Sequence, residues 1–495
     1  MSINKALNIS LTGLNANQKA LNVVSHNIAN MNTEGYVKQR VNFAEVRTKY
    51  SGSNVYSQIG SLSGVKIASI STSANQYLNN YYRTQNSPYQ GLQTEADIAA
   101  GLSEIMDELS GTGLGYALED FFSAANSLNQ NPIDYSLRLN FAEKAKGVAN
   151  KFNSMYNSVT SYKESVVGDG VSLTSAQNSK AGTYVDQINS KLEVLASINK
   201  QITMNQSDSS LTSQRDQVLA ELSNLTNITT TITSTGTANV YIGDTAVVKG
   251  NSVMGTISIN ADASISFTDL DNNVKDITAD IKEGTLGGTL KSISLIDNSL
   301  AGLDKLAAAF AEKMNEIQTN ADANGTPCYY DRVNDKLVES PANNLLFVAS
   351  DGGTTITAGN IKISDDIYKN PDLISAARVD TTQTGWETAV GNGDNALLFY
   401  DSRNDKLPSL GGLTMEDYII SLSSKAALDS QTKQEAADTQ GAVADNIQNR
   451  ILSETGVNLD EELTDMIRYQ QAYNASARVF SCCVEVFDTL VALGK

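Results

Sequence analysis

A chain of 495 residues exceeds what one hydrophobic core organises, so two to four domains are expected. A formal charge of −19 argues against nucleic acid and against anionic membrane surfaces, both of which demand clustered Lys and Arg. With 41% apolar residues the composition is globular once Gly is counted, and self-association has to run through specific apolar seams rather than general stickiness.

Ser2 to about Met31 reads as one helix, about 45 Å long at 1.5 Å per residue. Along it Ile3, Leu7, Ser10, Leu14, Asn17, Leu21, Val24 and Ile28 recur at alternating steps of four and three, the period of a coiled-coil seam. Turn residues from Asn30 to Tyr36 end it, and Val37 to about Ile70 reads as an extended segment with short strands. Tyr77 to about Leu225 is mostly helical. Helices are expected over Leu92–Leu109, Tyr116–Leu128 (stopped by Asn131-Pro132), Ile133–Val167, Thr183–Met204 and Leu211–Leu225, joined by short loops as in an antiparallel bundle.

Composition shifts at Asn227 toward Thr, Ile, Val, Gly and Asn. Period-two runs at Asn239–Asp244, Gly255–Asn260 and Asn360–Ser364 predict half-buried strands, with a helix from Leu290 to about Thr319 between them. A polar helix is expected from Met415 to Ser453. Asn458 then caps the last helix, with Glu461 in capping-box position and Asp460, Glu461 and Glu462 suiting the dipole. That helix repeats the four-and-three stripe through Leu459, Leu463, Met466, Gln470, Tyr473, Ala477, Phe480, Val484, Phe487 and Val491.

The expected fold is mainly α with a β-rich insert (α+β): terminal helices paired as a coiled coil, a long helical bundle domain, and β-rich outer segments at the far tip. Residues 1–36 and 456–495 would form the terminal coiled-coil domain, residues 37–226, 284–325 and 410–455 the elongated bundle, and residues 227–283 and 326–409 the outer segments.

Little in the chain points to catalysis, a cofactor or a metal. His26 is the single histidine, and no nucleophile elbow, zinc-binding His pair, Walker loop or dinucleotide fingerprint occurs. Asn320 to Asp331 has calcium-loop spacing, but starts with Asn, ends with Asp and is interrupted by Pro327-Cys328, so a turn leaving a helix accounts for it better. Cys328, Cys482 and Cys483 are an odd set with one adjacent pair, which reads as buried or partly buried free thiols. Gln470 either specifies register in the C-terminal seam or is merely tolerated there. No run is long and apolar enough for a transmembrane helix, and the first residues lack a signal-peptide pattern, so composition alone points to the cytoplasm unless export bypasses such a signal.

Ser25-His26-Asn27-Ile28-Ala29-Asn30-Met31-Asn32-Thr33-Glu34-Gly35-Tyr36 resembles the N-terminal signature of flagellar rod, hook and hook-associated proteins, carried by Asn27, Ile28, Asn30, Thr33, Gly35 and Tyr36. His26 stands where the family usually carries Asn. Gly456, Val457, Asn458 and Leu459, with Tyr469–Ala475 further on, resemble the matching C-terminal signature. Interior segments narrow the resemblance to the hook-associated protein 1 family: Gln214-Arg215-Asp216, Gly284–Leu290, Phe121-Phe122 with Asn131-Pro132 and Arg138, and Thr357–Ser364.

The resemblance implies a non-enzymatic adaptor between hook and filament, extracellular, exported through the flagellar type III channel without a cleaved signal peptide. Its implied partners are copies of itself in a ring-like array, the hook protein, hook-associated protein 3 and a flagellar export chaperone. The implied assembly surface is the pair of stripes: Ile3, Leu7, Leu14, Leu21, Val24 and Ile28 at one end, and Leu459, Leu463, Met466, Tyr473, Phe480, Val484, Phe487 and Val491 at the other. Alone, such helices have little to bury against, so both termini are expected to order only on assembly. The rival readings are a hook or rod axial protein, and a secreted coiled-coil adhesin using the same export route.

Overall fold

Long helices separated by two groups of strands make up the chain in the computed structural model, which describes residues 3–33, 36–47, 62–72, 75–107, 113–205 and 208–493. Helix α1 (Ile3–Ala29) leads into an antiparallel ribbon of β1 (Gln39–Arg47) and β2 (Leu62–Thr72). The bundle follows: α2 (Gln76–Asp107), α3 (Leu114–Gln130), α4 (Tyr135–Val167), α5 (Leu173–Asn178), α6 (Lys180–Met204) and α7 (Ser209–Leu225). Polar side chains set the starts. Asp134 accepts from the Ser136 and Leu137 amides ahead of α4, Ser179 from Gly182 ahead of α6, and Asp208 from Ser210 ahead of α7.

The first strand group is a four-stranded sheet of β3 (Thr229–Ile232), β4 (Ala238–Ile242), β5 (Thr245–Lys249) and β6 (Ser252–Val253). A three-stranded sheet of β7 (Gly255–Ile259), β8 (Ile265–Asp269) and β9 (Val274–Asp276) adjoins it in sequence. As the period-two runs require, Ala238, Val240 and Ile242 point inward along β4, and Ile257 and Ile259 along β7. Helix α8 (Gly284–Thr319) follows. Then come β10 (Thr326–Asp331), β11 (Lys336–Glu339), β12 (Phe347–Ala349), β13 (Ile361–Ile363), α9 (Asp365–Lys369), β14 (Ala377–Val379) and α10 (Asp394–Asp401). Two long helices close the chain, α11 (Met415–Thr455) and α12 (Leu459–Leu493).

The fold class is as expected, mainly α with β-rich parts and paired terminal helices. The details differ in informative ways. The strands are not gathered at one tip: β5, β6 and β7 lie on α6, whereas β10, β12, β13 and β14 lie beside α4, α8 and α10. Helix α2 starts well before Leu92 and runs through Pro88, held by its length of contact with α11 and α8. Helix α8 starts at Gly284 rather than Leu290 because its glycines are contact points. A Cβ on Gly288 would lie 2.2 Å from the Gly91 carbonyl oxygen, so α8 crosses α2 backbone to backbone.

One large core joins most of these elements, and Cys328, Leu337 and Ala377 form a small separate cluster in the sheet of β10, β11 and β14. Phe121 of α3 packs 4.9 Å from Phe141 of α4 and 5.6 Å from Phe310 of α8, between ring centroids. Phe310 continues to Phe347 of β12 at 5.0 Å, and Phe141 to Phe399 of α10 at 5.3 Å. Buried arginines tie the loops to it. Arg138 donates to the carbonyls of Pro132 (2.6 Å) and Ile374 (2.7 Å), and burial pulls its pKa down to about 10. Arg215 reaches the Gly236 carbonyl in the β3–β4 turn and pairs with Asp216 at 2.7 Å. Arg378 donates to Asn395 and pairs with Asp322 at 2.8 Å, placing a cation where calcium-loop spacing had been noted.

Candidate functional site

The terminal helices run antiparallel. Gly13 faces Ser476, where a Cβ on the glycine would lie 3.6 Å from the serine Cβ, and Asn27 meets Glu462 near the other end. The contact line on α1 consists of small residues: Gly13, Ala16 and Ala20, with Val23, Val24 and Asn27 towards its end. On α12 it passes Glu462, Met466, Tyr469, Tyr473, Ser476 and Phe480. Thr12 turns to the ribbon, where its hydroxyl accepts from the Val65 amide at 3.2 Å beside Gly64.

Most of the large apolar residues of the predicted stripes are therefore not on this line. Val24 is buried, while Ile3, Leu7, Leu14, Leu21 and Ile28 are half-buried on the neighbouring side of α1. On α12, Met466, Tyr473, Phe480 and Val484 are half-buried, and Leu459, Leu463, Phe487 and Val491 are 41–47% exposed. A step of one residue turns a helix by about 100°. Both stripes are offset in the same chain sense, and in an antiparallel pair such offsets turn them to the same side. Leu7, Leu14, Leu21 and Ile28 thus share one side with Leu463, Ala477 and Val484, while Met466, Tyr473 and Phe480 stay on the contact line. By the same register, α12 beyond Val486 extends past Ile3, so Phe487 and Val491 have no described part of α1 beside them.

The signature residues form the joint where α1, the ribbon and α12 meet. Asn27 is 1% exposed and fully used: its amide donates to the Gln39 carbonyl and to Glu462, both at 2.9 Å, while its oxygen accepts from the Gln39 amide and the Tyr36 hydroxyl. Lys38, also buried, lies 2.8 Å from both Glu461 and Glu462. Burial acts to lower its pKa, but the hydrogen bonds and charges of the two glutamates prevail and raise it. Burial, and then Glu462, push the Tyr36 phenol up to about 12. His26 Nδ1 sits 2.9 Å from the same phenol oxygen.

Asn30 bonds the His26 carbonyl and receives the Thr33 amide. Asn458 caps α12 through the Asp460 and Glu461 amides, but Glu461 is turned to Lys38 instead of closing a capping box. Gly456 sits where a Cβ would lie 2.5 Å from the Leu452 carbonyl oxygen; Val457 is half-buried and Leu459 exposed. Gly35 and Glu34 lie outside the described residues.

Sequence reading missed the Lys38–Glu462 pair and the small-residue line; the signal available was Ala6, Gly13, Ala20 and Asn27, each seven residues apart. Gln470 is exposed and does not set this register. Cys482 is exposed, correcting the expectation of buried or partly buried thiols, whereas Cys328 is buried and its thiol is pushed up to about 12 by desolvation. Among the described residues no cluster of His, Cys, Asp and Glu could hold a metal ion, and no helix is long and apolar enough to cross a membrane.

Comparison with known proteins matches the middle of the chain and its two ends to different family models. Residues 99–328 match the family described as flagellar hook-associated protein FlgK helical domain. Residues 7–36 match flagella basal body rod protein, and residues 448–493 match flagellar basal body rod FlgEFG protein C-terminal. The chain is 25% identical to flagellar hook-associated protein 1 of Salmonella typhimurium, over 98% of this chain and 99% of that one. It is 26% identical to flagellar hook-associated protein 1 of Bacillus subtilis, over 97% and 96%. The solved flagellar hook junction protein FlgK of Burkholderia pseudomallei shares the fold, with a TM-score of 0.59 at 15% identity, over 75% of this chain and 99% of that one. With rod-type segments matched at both ends, a hook-associated helical domain matched between them and relatives aligned over nearly their whole length, the chain is similar to flagellar hook-associated protein 1 from end to end.

Proposed function

We propose that this chain is a structural component of the bacterial flagellum, the adaptor that joins hook to filament. The observation that carries this is the combination of a hook-associated helical domain with rod-type terminal helices whose large apolar residues stay half-buried along α1 and partly exposed along α12. The helical-domain match over residues 99–328 favours this over a hook or rod protein.

The finer assignments extend the same reading. The assembly surface is the side that carries Ile3, Leu7, Leu14, Leu21 and Ile28 together with Leu459, Leu463, Val484, Phe487 and Val491, whereas Val24, Met466, Tyr473 and Phe480 serve the seam between the two helices. Copies of the chain cover it in a ring-like array between the hook protein and hook-associated protein 3. An export chaperone holds the C-terminal segment beforehand, and export proceeds without a cleaved signal peptide. The terminal coiled coil, bundle and β-rich outer segments act as three domains, and the protein performs no catalysis. Each fully buried Leu or Phe contributes about 1.5–3 kcal/mol, so burying this face supplies the assembly energy.

Deleting Leu459–Lys495 tests the proposal. Loss of filament attachment with flagellin released into the medium is the expected result. Motility that survives the deletion would overturn it in favour of the adhesin reading.

A further inference from the structure

The seam between the terminal helices has an unusual weakness. Coiled coils usually fix their register through large knobs that fit one set of holes. Here the α1 side is Ala6, Gly13 and Ala20, seven residues apart, facing a similarly spaced row of Tyr469, Ser476 and Cys483 on α12. Sliding α12 by seven residues, about 10 Å along the axis, brings Gly13 opposite Cys483 and Ala20 opposite Ser476. The second row of the seam sets Ala16 and Val23 of α1 against Tyr473 and Met466, and it too repeats every seven residues, so the slide exchanges these for Phe480 and Tyr473, large side chains in both registers.

The polar joint does oppose it. Asn27 is the next member of the same seven-residue row, and Glu462 of the α12 row. In the observed register they bond at 2.9 Å, and the 1%-exposed Glu462 carboxylate is neutralised by Lys38 at 2.8 Å. A seven-residue slide places Asn27 against Tyr469 and strips both Glu462 and the buried Lys38 of their partners. A buried charge left alone is strongly destabilising, whereas fixing register is the best-attested use of buried polar groups in coiled coils.

We infer that the Asn27–Glu462–Lys38 network is a register lock that selects one alignment of the two terminal helices among the seven-residue alternatives their small-residue seam permits. The lock sits outside the shared apolar face and sets which residues of that face lie side by side. It therefore acts within one chain, whenever the two helices pair.

Disulfide trapping in the purified full-length chain tests this. In the native register a Cβ added at position 13 would lie 3.6 Å from the Ser476 Cβ, suitable for a disulfide. The first variant carries Gly13→Cys and Ser476→Cys with Cys328, Cys482 and Cys483 changed to Ser. The second carries Gly13→Cys with Cys483 kept and Cys328 and Cys482 changed to Ser. With the lock intact, the first should cross-link on oxidation and the second should not. Lys38→Met combined with Glu462→Gln removes both charges without stranding either; in that background the 13–483 link should appear at the expense of the 13–476 link. Restoring Glu462 and replacing the Met change with Lys38→Arg should suppress the 13–483 link again.

A lock-free chain that still gives only the 13–476 link overturns the inference. So does a lock-free chain that gives neither, because the network would then hold the helices together rather than align them. Failure of the 13–476 link with the lock intact overturns the register itself.

Discussion

At the scale of single residues, Glu462 shows how much depends on one carboxylate. It is nearly sealed from solvent, with Lys38 and Asn27 as its close partners. Changing Lys38 alone to Met leaves that charge uncompensated and should weaken the terminal pair by about 3–5 kcal/mol. Amide exchange along α1 should speed up accordingly, while amides of the Phe121–Phe310 core stay protected. The same joint sets an alkaline limit. Tyr36 and Lys38 both have raised pKa values in the folded chain, Tyr36 to about 12. Their stabilisation is complete below the unfolded values near 10 and is lost as pH rises through the folded ones. The terminal pair should therefore melt first between about pH 10 and 12, followed by helix content and tyrosinate absorbance. Tyr36→Phe should remove the tyrosine part of that transition. Glu461, held low by its hydrogen bond to Lys38, acts with the opposite sign and loses its contribution only in acid.

Among elements, the close crossings set the tolerances. Gly288→Ala would push a Cβ against the Gly91 carbonyl of α2, a backbone atom that cannot swing aside. It should cost about 1–3 kcal/mol or more, read as a lowered denaturation midpoint. Phe310→Ala, at the centre of the aromatic cluster, should cost about 3–5 kcal/mol in the same assay.

These crossings also explain how far the sequence could be read. Helices α4, α6 and α7 were legible because Pro132, Asp134 and the apolar spacing announce them locally. Pro88 inside α2 and Gly284–Gly288 at the start of α8 were not. Breaker residues signal a local cost, whereas α11 and the α2–α8 contact supply the compensation from far along the chain. For the site, the stripes of large residues dominated the periodic signal and were legible as apolar faces. The line one residue away, built from Gly, Ala, Asn and Ser, carries almost no hydropathy contrast. It became visible only once the antiparallel register was known. The partnership of Lys38 with Glu462 spans most of the chain and has no local signature at all.

For the molecule as a whole, stability is uneven. The bundle and most of the strands share one continuous core, whereas the terminal pair meets along a single seam, mainly small on the α1 side and half-buried on α12, with one polar joint. Limited proteolysis of the free monomer should cut within α1 and α12 first and leave a resistant fragment spanning the bundle. Termini as resistant as the bundle would contradict both this ranking and the expectation that they order on assembly. Replacing exposed Leu459 and Leu463 with Ser should leave monomer stability within about 0.5 kcal/mol, as expected for surface changes. It should nevertheless reduce filament attachment in swimming cells.

The pairing of Asn27 with Glu462 joins positions 435 residues apart. A ribosome that has reached Asn27 must add those 435 residues before Glu462 exists, so until then α1 lacks its α12 mate. The closure costs only logarithmically in the length of the enclosed loop, so it forms readily once both ends are free. Traction on either end reverses the order: the clasp opens while the interior is still intact. A molecule fastened this way offers a loose end at its beginning or its end before any force reaches its core.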